Sequence, residues 1–202
     1  MNRLSLDLSL PEGSVSVERD GELLSTVSWN RPKIHAEVVY REIDRALSLA
    51  GLSREEIDEV VVSSGPGSFT GVRLSITVGK AFKVLGTKVL SSTTLTALSF
   101  GYEALGFVPV AILPARRGRF YAKIGKFQGD LTEKEIEEKV KLLERPLLVF
   151  KGELPPQLTS YLNLKELTPL SVKLLKLPRE ELSPLTFHYI REHDAKPPNK
   201  RG

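Results

Sequence analysis

The sequence predicts an α/β protein built from two related halves. Three strand-like segments open the chain, and helical and strand-like segments then alternate. A stretch at residues 101–106, bounded by glycines, interrupts this pattern, and two strand-like segments followed by a charged helical one begin it again. Such alternation is typical of sheets covered by helices. We therefore expect a first half over residues 1–103 and a smaller second half over residues 104–202 that ends in a basic tail.

The first half should begin with an antiparallel meander. Leucines alternate with polar residues at 3–9, which is the period of a half-buried strand, and further strands are expected at 14–18 and 22–29. Asp20-Gly21 between the last two strands is a typical two-residue hairpin turn.

Helical periodicity dominates the rest of the first half. It predicts helices at 33–50, 71–86 and 93–100, with strands at 57–62 and 88–90. Gly51 and Gly86 should end the first two helices, and Ser53 opens a capping box for one short helical turn. Gly79 inside the second helix predicts the close approach of another backbone.

The second half repeats the strand-then-helix order on a smaller scale. We expect strands at 108–113 and 120–127, a helix at 132–144 and a strand at 147–150. The basic run Arg116-Arg117-Gly118-Arg119 lies between the first two of these strands and marks a hairpin tip. Beyond residue 150 the frequent prolines allow only short elements.

Composition excludes several classes of protein. The chain has 202 residues, of which 41% are hydrophobic, so it can bury a substantial core. No apolar run approaches the roughly 18 residues of a membrane span, and Asp7 comes too early for a secretory signal, so we expect a cytoplasmic protein with no membrane partner. With no cysteine and only His35, His188 and His193, we expect no metal site.

The positive charge permits nucleic-acid binding without indicating it. The net charge is +4, and much of the excess lies near the end, at Lys196, Lys200 and Arg201. A terminal run of this kind is more typical of a solvated tail than of an RNA contact.

A glycine-rich stretch between a predicted strand and a predicted helix is the most specific local feature. Backbone N–H groups at a helix N-terminus attract phosphate or another anion. The candidate contacts are Gly65, Gly67, Ser68, Phe69, Thr70, Gly71 and Arg73, with Arg116 as a second arginine. A tight turn with no ligand is the open alternative. The spacing fits neither a Walker A loop, which needs a lysine directly after its last glycine, nor the dinucleotide fingerprint.

The residues from Ser64 to Phe82, with the string Gly-Pro-Gly-Ser-Phe-Thr-Gly-x-Arg, closely resemble the signature of the TsaB (YeaZ) family, paralogues of TsaD in tRNA threonylcarbamoyladenosine biosynthesis. Four other segments are similar to family motifs in order and spacing: the opening hairpin at 6–17, His35-Ala36-Glu37, the stretch from Ala115 to Tyr121, and Tyr189-Ile190-Arg191. Leu8, Ala36 and Pro114 depart from the usual Thr, Ser and Asp, which puts in doubt any polar contact of those side chains.

The resemblance implies an actin-like ATPase (ASKHA) fold, with two related α/β halves and mixed sheets. In the family, TsaD carries the chemistry with a metal held by histidines on a helix. This chain has only His35 on the corresponding helix, so we expect a catalytically silent subunit that binds and activates TsaD for threonylcarbamoyl transfer to the tRNA adenosine beside the anticodon.

The same resemblance implies partners and an interface. The two helices expected at 33–50 and 71–86 would pack against the equivalent helices of TsaD, or of a second copy when TsaD is absent. The interface residues implied are His35, Glu37, Val38, Arg41, Val72, Ile76, Gly79 and Lys80. TsaE would be a further partner, and tRNA would be reached indirectly through the complex. We expect no cofactor of the chain's own, and ATP or ADP at the TsaD interface is an open alternative.

Two other functions compete with this reading. Asp7 near the first strand, together with the glycine loop, would suit an autonomous actin-like ATPase or kinase, although no second Asp-Gly phosphate loop follows in the later half. A peptidase would need a Ser-His-Asp arrangement that the spacing does not suggest.

Overall fold

Two mixed β-sheets organise the protein. The structure, a computed structural model, describes residues 1–31 and 33–187. The basic tail, the Tyr189-Ile190-Arg191 motif, His188 and His193 lie outside the described residues.

The elements follow one another in the predicted order. In the first half they are β1 (Asn2–Asp7), β2 (Glu12–Arg19), β3 (Glu22–Asn30), α1 (His35–Ala50), β4 (Glu59–Ser63), α2 (Phe69–Val84), β5 (Lys88–Ser92) and α3 (Thr94–Ser99). After a 3-10 turn at Glu103–Leu105 come β6 (Val108–Pro114), β7 (Phe120–Ile124), β8 (Phe127–Leu131), α4 (Glu133–Val140), β9 (Pro146–Phe150), β10 (Asn163–Lys165), α5 (Leu170–Lys176) and β11 (Ser183–Pro184), with 3-10 turns at Pro156–Leu158 and Arg179–Glu181.

Each sheet combines an antiparallel meander with parallel strands. The first sheet has the order β11-β5-β4-β1-β2-β3, and the second has the order β10-β9-β6-β7-β8. β1 pairs antiparallel with β2 and parallel with β4, and β6 pairs antiparallel with β7 and parallel with β9. The two sheets therefore share one topology, and the prediction of two related α/β halves with mixed sheets is confirmed.

Helices cover the sheets in layers. α1 and α2 pack on one face of the first sheet, where Leu4, Leu6, Ile43 and Val78 are fully buried or nearly so. α3 and α5 lie between the sheets, in a core that includes Val61 of one sheet and Val149 of the other. α4 packs on the far face of the second sheet. The outer surfaces of α1 and α2 therefore face away from the second half.

Local predictions hold where the turn chemistry is explicit. Asp20 and Gly21 both have positive φ, as the hairpin between β2 and β3 requires. Gly51 caps α1 in the left-handed conformation and donates to the Leu47 and Ser48 carbonyls. At Ser53 only half of the predicted capping box forms. The Glu56 carboxylate accepts from the Ser53 N–H at 2.8 Å, but the chain makes a turn there and not a helix.

The expected strand at 120–127 is wrong in extent. The structure has two strands there, β7 and β8, joined by a tight turn in which Gly125 has φ +57°. The predicted single strand therefore covers what is a hairpin in the structure. The second sheet gains a three-stranded meander, β6-β7-β8, that matches β1-β2-β3 of the first.

The end of the described chain returns to the first half. α5 packs on β1, β2 and β4, and β11 adds to the edge of the first sheet beside β5. Ser5 Oγ donates to the Ser171 carbonyl at 2.6 Å, and Arg3 donates to the Leu175 carbonyl at 2.8 Å. The division at residue 103 stays a prediction. Within the described residues, no helix has both the length and the apolar character that crossing a membrane would require.

Candidate functional site

The glycine loop wraps around the backbone of the β1–β2 turn. A β carbon on Gly71 would lie 1.8 Å from the Leu8 carbonyl oxygen, and one on Gly67 would lie 2.2 Å from that of Ser9. The Ser68 N–H donates to the Ser9 carbonyl at 2.7 Å. Gly67 and Gly71 are therefore explained by this close approach of the chain's own backbone.

The start of α2 is capped from within the loop. Ser68 is the N-cap residue, and its hydroxyl accepts from the Gly71 N–H at 3.3 Å. Gly65 has φ +96°, and its carbonyl accepts from the Thr94 N–H at the start of α3. Phe69 and Thr70, in the first turn of α2, are exposed. The loop thus joins β1, α2 and α3, and its predicted role as an anion site stays a prediction.

The two candidate anion-binding arginines lie on different elements. Arg73 is exposed one turn into α2, and its guanidinium lies over the Phe69 ring at 5.3 Å. Arg116 is exposed in the β6–β7 turn, where the predicted basic hairpin is found. Arg119 of the same turn is bound to Asp130 at 2.5 Å.

Asp7 lies in a closed polar cluster beneath the glycine loop. Its carboxylate accepts from the Ser9 hydroxyl at 2.6 Å and from the Ser9 N–H at 3.2 Å, and only 1% of the residue is exposed. Burial raises the pKa of Asp7 above its ordinary value, and the neighbouring Ser63, the hydrogen bonds from Ser9 and the charge of Lys151 oppose that effect only in part.

An ion pair crosses from one half to the other above this cluster. Lys151 follows β9 of the second sheet, and its ammonium lies 2.8 Å from the carboxylate of Glu12 at the start of β2. Lys151 is 9% exposed. Asp7, the residue that would serve an autonomous ATPase, is therefore buried beside the ion pair that joins the two halves.

His35 is turned into the protein. Because an indole N–H can only donate, Nδ1 of His35 accepts from Trp29 at 2.9 Å, and Nε2 carries the proton that is donated to the Leu10 carbonyl at 2.9 Å. Both ring nitrogens are thus used to attach the start of α1 to the first meander. Among the described residues, no group of three His, Cys, Asp or Glu side chains could hold a metal ion.

The predicted interface residues divide into two groups. Glu37, Arg41 and Lys80 are exposed on α1 and α2, whereas His35, Val38, Val72, Ile76 and Gly79 are buried within the chain. A β carbon on Gly79 would lie 3.1 Å from Val89 and 3.3 Å from Leu185. The close approach at Gly79 is therefore to side chains of this chain, and not to a backbone as expected from the sequence.

Sequence reasoning missed several exposed residues of the same surface. Tyr40 on α1 is 48% exposed, and Val84 at the end of α2 is 86% exposed. Thr77 is also exposed, and it lies between Arg73 and Lys80 on α2. The outward positions of α2 recur every three or four residues and form one stripe, which we call the α2 face: Phe69, Thr70, Arg73, Thr77, Lys80 and Val84. Helical spacing alone identifies this stripe, but only the packing shows that it points outward.

Comparison with known proteins gives a consistent group of relatives. The family model described as "TsaD: tRNA N6-adenosine threonylcarbamoyltransferase" matches residues 24–163. The tRNA threonylcarbamoyladenosine biosynthesis protein TsaB of Bacillus subtilis is 23% identical over 159 residues, 78% of this chain and 69% of its own length. TsaB of Buchnera aphidicola from Acyrthosiphon pisum is 27% identical over 156 residues, 70% of each protein.

Solved structures share the fold. YeaZ from Pseudomonas aeruginosa superposes with a TM-score of 0.66 at 20% identity, over 86% of this chain and 88% of its own. An uncharacterised protein with similarity to peptidase YeaZ from Pseudomonas aeruginosa superposes with a TM-score of 0.71 at 20% identity, over 94% of this chain and 99% of its own. At this identity the likeness establishes the architecture, that of the actin-like ATPases, and nothing about activity.

Proposed function

Because the chain belongs to the TsaB (YeaZ) family, within the wider family of the TsaD threonylcarbamoyltransferase, we propose that it is a non-catalytic subunit that binds and activates TsaD. Family membership by itself implies a part in tRNA threonylcarbamoyladenosine biosynthesis. In this role the chain works through a docking surface and leaves the transfer to the tRNA adenosine to its partner.

The observation that carries the proposal is the exposed outer surface of α1 and α2. Tyr40, Phe69 and Val84 are large apolar side chains, and they are 48%, 37% and 86% exposed on helices that pack on the same face of the sheet. Two helices of 16 residues each could cover about 800 Å² per partner, which is the usual size of a specific interface.

Two further observations favour a silent subunit over an autonomous ATPase. Asp7 is buried and hydrogen-bonded to Ser9, and the Lys151–Glu12 ion pair joins the two halves beside it. The glycines at 67 and 71 enclose the chain's own backbone. ATP or ADP at the junction with TsaD stays an open alternative, with Arg73 or Arg116 as an anion contact. TsaE binding, a homodimer in the absence of TsaD and indirect contact with tRNA are likewise predictions.

Co-elution with the TsaD of the same organism tests the docking surface. We expect the wild-type chain to form a 1:1 complex and Val84→Glu to weaken it at least about tenfold, because a carboxylate would be forced into the contact. Leu142→Glu is the matched control, since Leu142 is 85% exposed just after a helix of the second half. Equal binding by both variants would show that the α2 surface is not part of the interface.

Calorimetric titration with ATP and magnesium tests the competing function. We expect no heat of binding from the isolated chain at millimolar nucleotide. Saturable binding by the chain alone would support an ATPase. Binding that appears only in the TsaD complex and is lost in Arg73→Ala or Arg116→Ala would support a nucleotide at the junction.

A further inference from the structure

A groove opens where the two connections between the sheets meet. One wall comes from the segment between α3 and β6, and the other comes from the segment between β10 and α5 and from α5 itself. Its volume is about 410 Å³, which is in the range of sites for small organic molecules. We call it the crossover groove, and its lining includes Phe100, Tyr102, Leu105, Glu166, Lys173 and Lys176.

Apolar side chains form most of the first wall. Leu105 is 65% exposed, and Phe100 and Tyr102 are only partly buried at the margin of the core between the sheets. Val172 of α5 adds apolar surface on the opposite wall. A ligand with an apolar body would remove this surface from water, which favours binding in proportion to the area covered.

The carboxylate in the groove is already occupied by donors of the same chain. Glu166 is 8% exposed, and it accepts from the Tyr102 hydroxyl, from Lys173 at 2.8 Å and from the Thr168 N–H at 2.9 Å. Burial and the adjacent Glu166 carboxylate raise the pKa of the Tyr102 hydroxyl, so this group remains a donor at neutral pH. Glu166 is thus neutralised from within and offers little attraction to a cationic ligand.

Positive charge is in excess along the groove. Its lining carries the ammonium groups of Lys173 and Lys176 against the single carboxylate of Glu166. The two lysines are three residues apart on α5, so they are neighbours on the helix surface. The Lys176 side chain is 46% exposed, and its ammonium donates to the Gly21 carbonyl at 2.8 Å and lies 3.6 Å from Glu18. An ammonium has three protons to donate, so Lys176 can still bind an anion.

We propose that the crossover groove binds a small amphipathic anion, with an aromatic or branched aliphatic body and one carboxylate or phosphate group. The body would lie on the apolar wall, and the anionic group would accept hydrogen bonds from Lys173 and Lys176. A cation would meet a net positive charge, and a strongly polar anion would leave the apolar wall in water. The lining residues all belong to this chain and none lies on α1 or α2, so binding should not require TsaD.

A matched set of naphthalene compounds tests the ligand class. The anion 2-naphthoate, the neutral 2-naphthamide and the cation 2-naphthylmethylammonium share one ring system and differ in charge. In isothermal titration of the full chain, we expect 2-naphthoate to bind with a Kd of about 100 μM or tighter, and the other two compounds to bind at least about tenfold more weakly. A naphthyl phosphate that binds more tightly than 2-naphthoate would identify phosphate as the preferred anionic group. Equal binding of the three compounds, or no binding of 2-naphthoate, would overturn the proposal.

Two single variants locate the binding site. Leu105→Glu places a carboxylate in the apolar wall, and Lys176→Gln removes an ammonium charge. Each should weaken the binding of 2-naphthoate at least about tenfold. Leu142→Glu and Lys134→Gln are the matched controls, because these residues are exposed and lie outside the groove, and both should bind like wild type. Thermal unfolding establishes that all four variants are folded. If both groove variants bind 2-naphthoate as tightly as wild type does, the anion binds elsewhere and the proposal is wrong.

Discussion

At the scale of single residues, Gly67 and Gly71 show why the most specific motif of the sequence is needed. Both lie where the glycine loop encloses the carbonyls of Leu8 and Ser9, and a side chain at either position would occupy the space of those atoms. The motif is therefore first a requirement for joining β1 to α2, whatever ligand or partner it also contacts.

Gly71→Ala tests this packing requirement. Because the new β carbon would stand 1.8 Å from the Leu8 carbonyl oxygen, we expect the free energy of unfolding to fall by about 3 kcal/mol or more. Gly21→Ala is the comparison, since its β carbon would meet nothing within 4 Å and its φ of +86° should cost only about 1 kcal/mol. Urea unfolding measures both. Equal losses of stability in the two variants would show that the glycine loop can move away from the Leu8 carbonyl.

Asp7→Asn tests the cost of the buried carboxylate. The folded pKa of Asp7 is raised, so the wild type loses stability as the pH rises above the ordinary value of 3.8, whereas the variant does not. Asn can still accept from the Ser9 N–H and hydroxyl through its oxygen. We therefore expect Asp7→Asn to be more stable than wild type near neutral pH, by about 1 kcal/mol or more.

The pH dependence of this difference in stability is the decisive measurement. Thermal unfolding should show the two proteins converging below about pH 3.8, where the carboxyl is protonated in both states. A variant less stable than wild type at neutral pH would mean that the ionised carboxylate, through Lys151 or its hydrogen bonds, stabilises the fold.

Some residue roles could be predicted from the sequence and others could not. Glycine spacing identified the loop, and the turn residues Asp20-Gly21 and Gly51 identified where elements end. The sequence placed His35 at the start of a helix, but its inward direction depends on Trp29 and the Leu10 carbonyl, which meet it only in three dimensions. Five of the eight expected interface residues are buried, which the sequence does not reveal because burial also depends on contacts made only in three dimensions.

At the scale of elements, a polar clamp joins the two crossovers between the sheets. Tyr102 lies on the segment from α3 to β6, and Glu166 lies on the segment from β10 to α5. The Tyr102 hydroxyl donates to the Glu166 carboxylate, to which Lys173 of α5 also donates at 2.8 Å. The Lys173 ammonium lies over the Tyr102 ring at 4.5 Å. Three elements are therefore held together at one carboxylate.

Glu166→Gln tests the clamp. Burial alone would raise the pKa of Glu166, but the hydrogen bonds from Lys173, Tyr102 and the Thr168 N–H outweigh it and lower the pKa to about 2. The stabilisation is therefore complete above the ordinary pKa of 4.5 and is lost as the pH falls towards 2. We expect the variant to be about 1–2 kcal/mol less stable than wild type near pH 7.

Two measurements of stability test this prediction. In urea unfolding, the gap between wild type and Glu166→Gln should narrow as the pH falls from 4.5 towards 2. Glu153→Gln, at an exposed position beyond β9, should follow wild type throughout. A gap that does not depend on pH would show that the clamp acts through packing and not through charge.

Element boundaries were predictable where a sequence signal and the packing agree. The meander and the two long helices carry clear periodicity, so their order and length follow from the sequence. The turn between β7 and β8 was missed because Gly125-Lys126 is a weaker signal than Asp20-Gly21 and strand-like residues continue on both sides. The short α5 and β11 depend on packing against the first sheet, which no local pattern reveals.

At the scale of the whole molecule, the chain does not simply run from one half to the other. After β10 it returns, so that α5 fills the space beside β1, β2 and β4, and β11 extends the first sheet. Arg3 is bound at once to Glu18, Glu59 and the Leu175 carbonyl. The first sheet therefore depends on residues that the sequence-based division assigned to the second half.

A fragment of residues 1–103 tests that dependence. Without α5 it would expose the apolar surface that Leu170 and Leu174 cover, and the Arg3 network would lose a partner. We expect the fragment to show no cooperative thermal unfolding, whereas the full chain should unfold cooperatively. A cooperative transition in the short fragment would support an independent first half with its boundary at residue 103.

We propose that this chain activates TsaD by docking and performs no chemistry itself. The most direct measurement is the amount of threonylcarbamoyladenosine formed on tRNA by reconstituted TsaD with its other components, when wild type, Val84→Glu or Leu142→Glu is added. We predict little product without the chain, full product with wild type and Leu142→Glu, and at least about a tenfold loss with Val84→Glu. Full product in the absence of the chain, or with Val84→Glu at limiting concentration, would contradict this role.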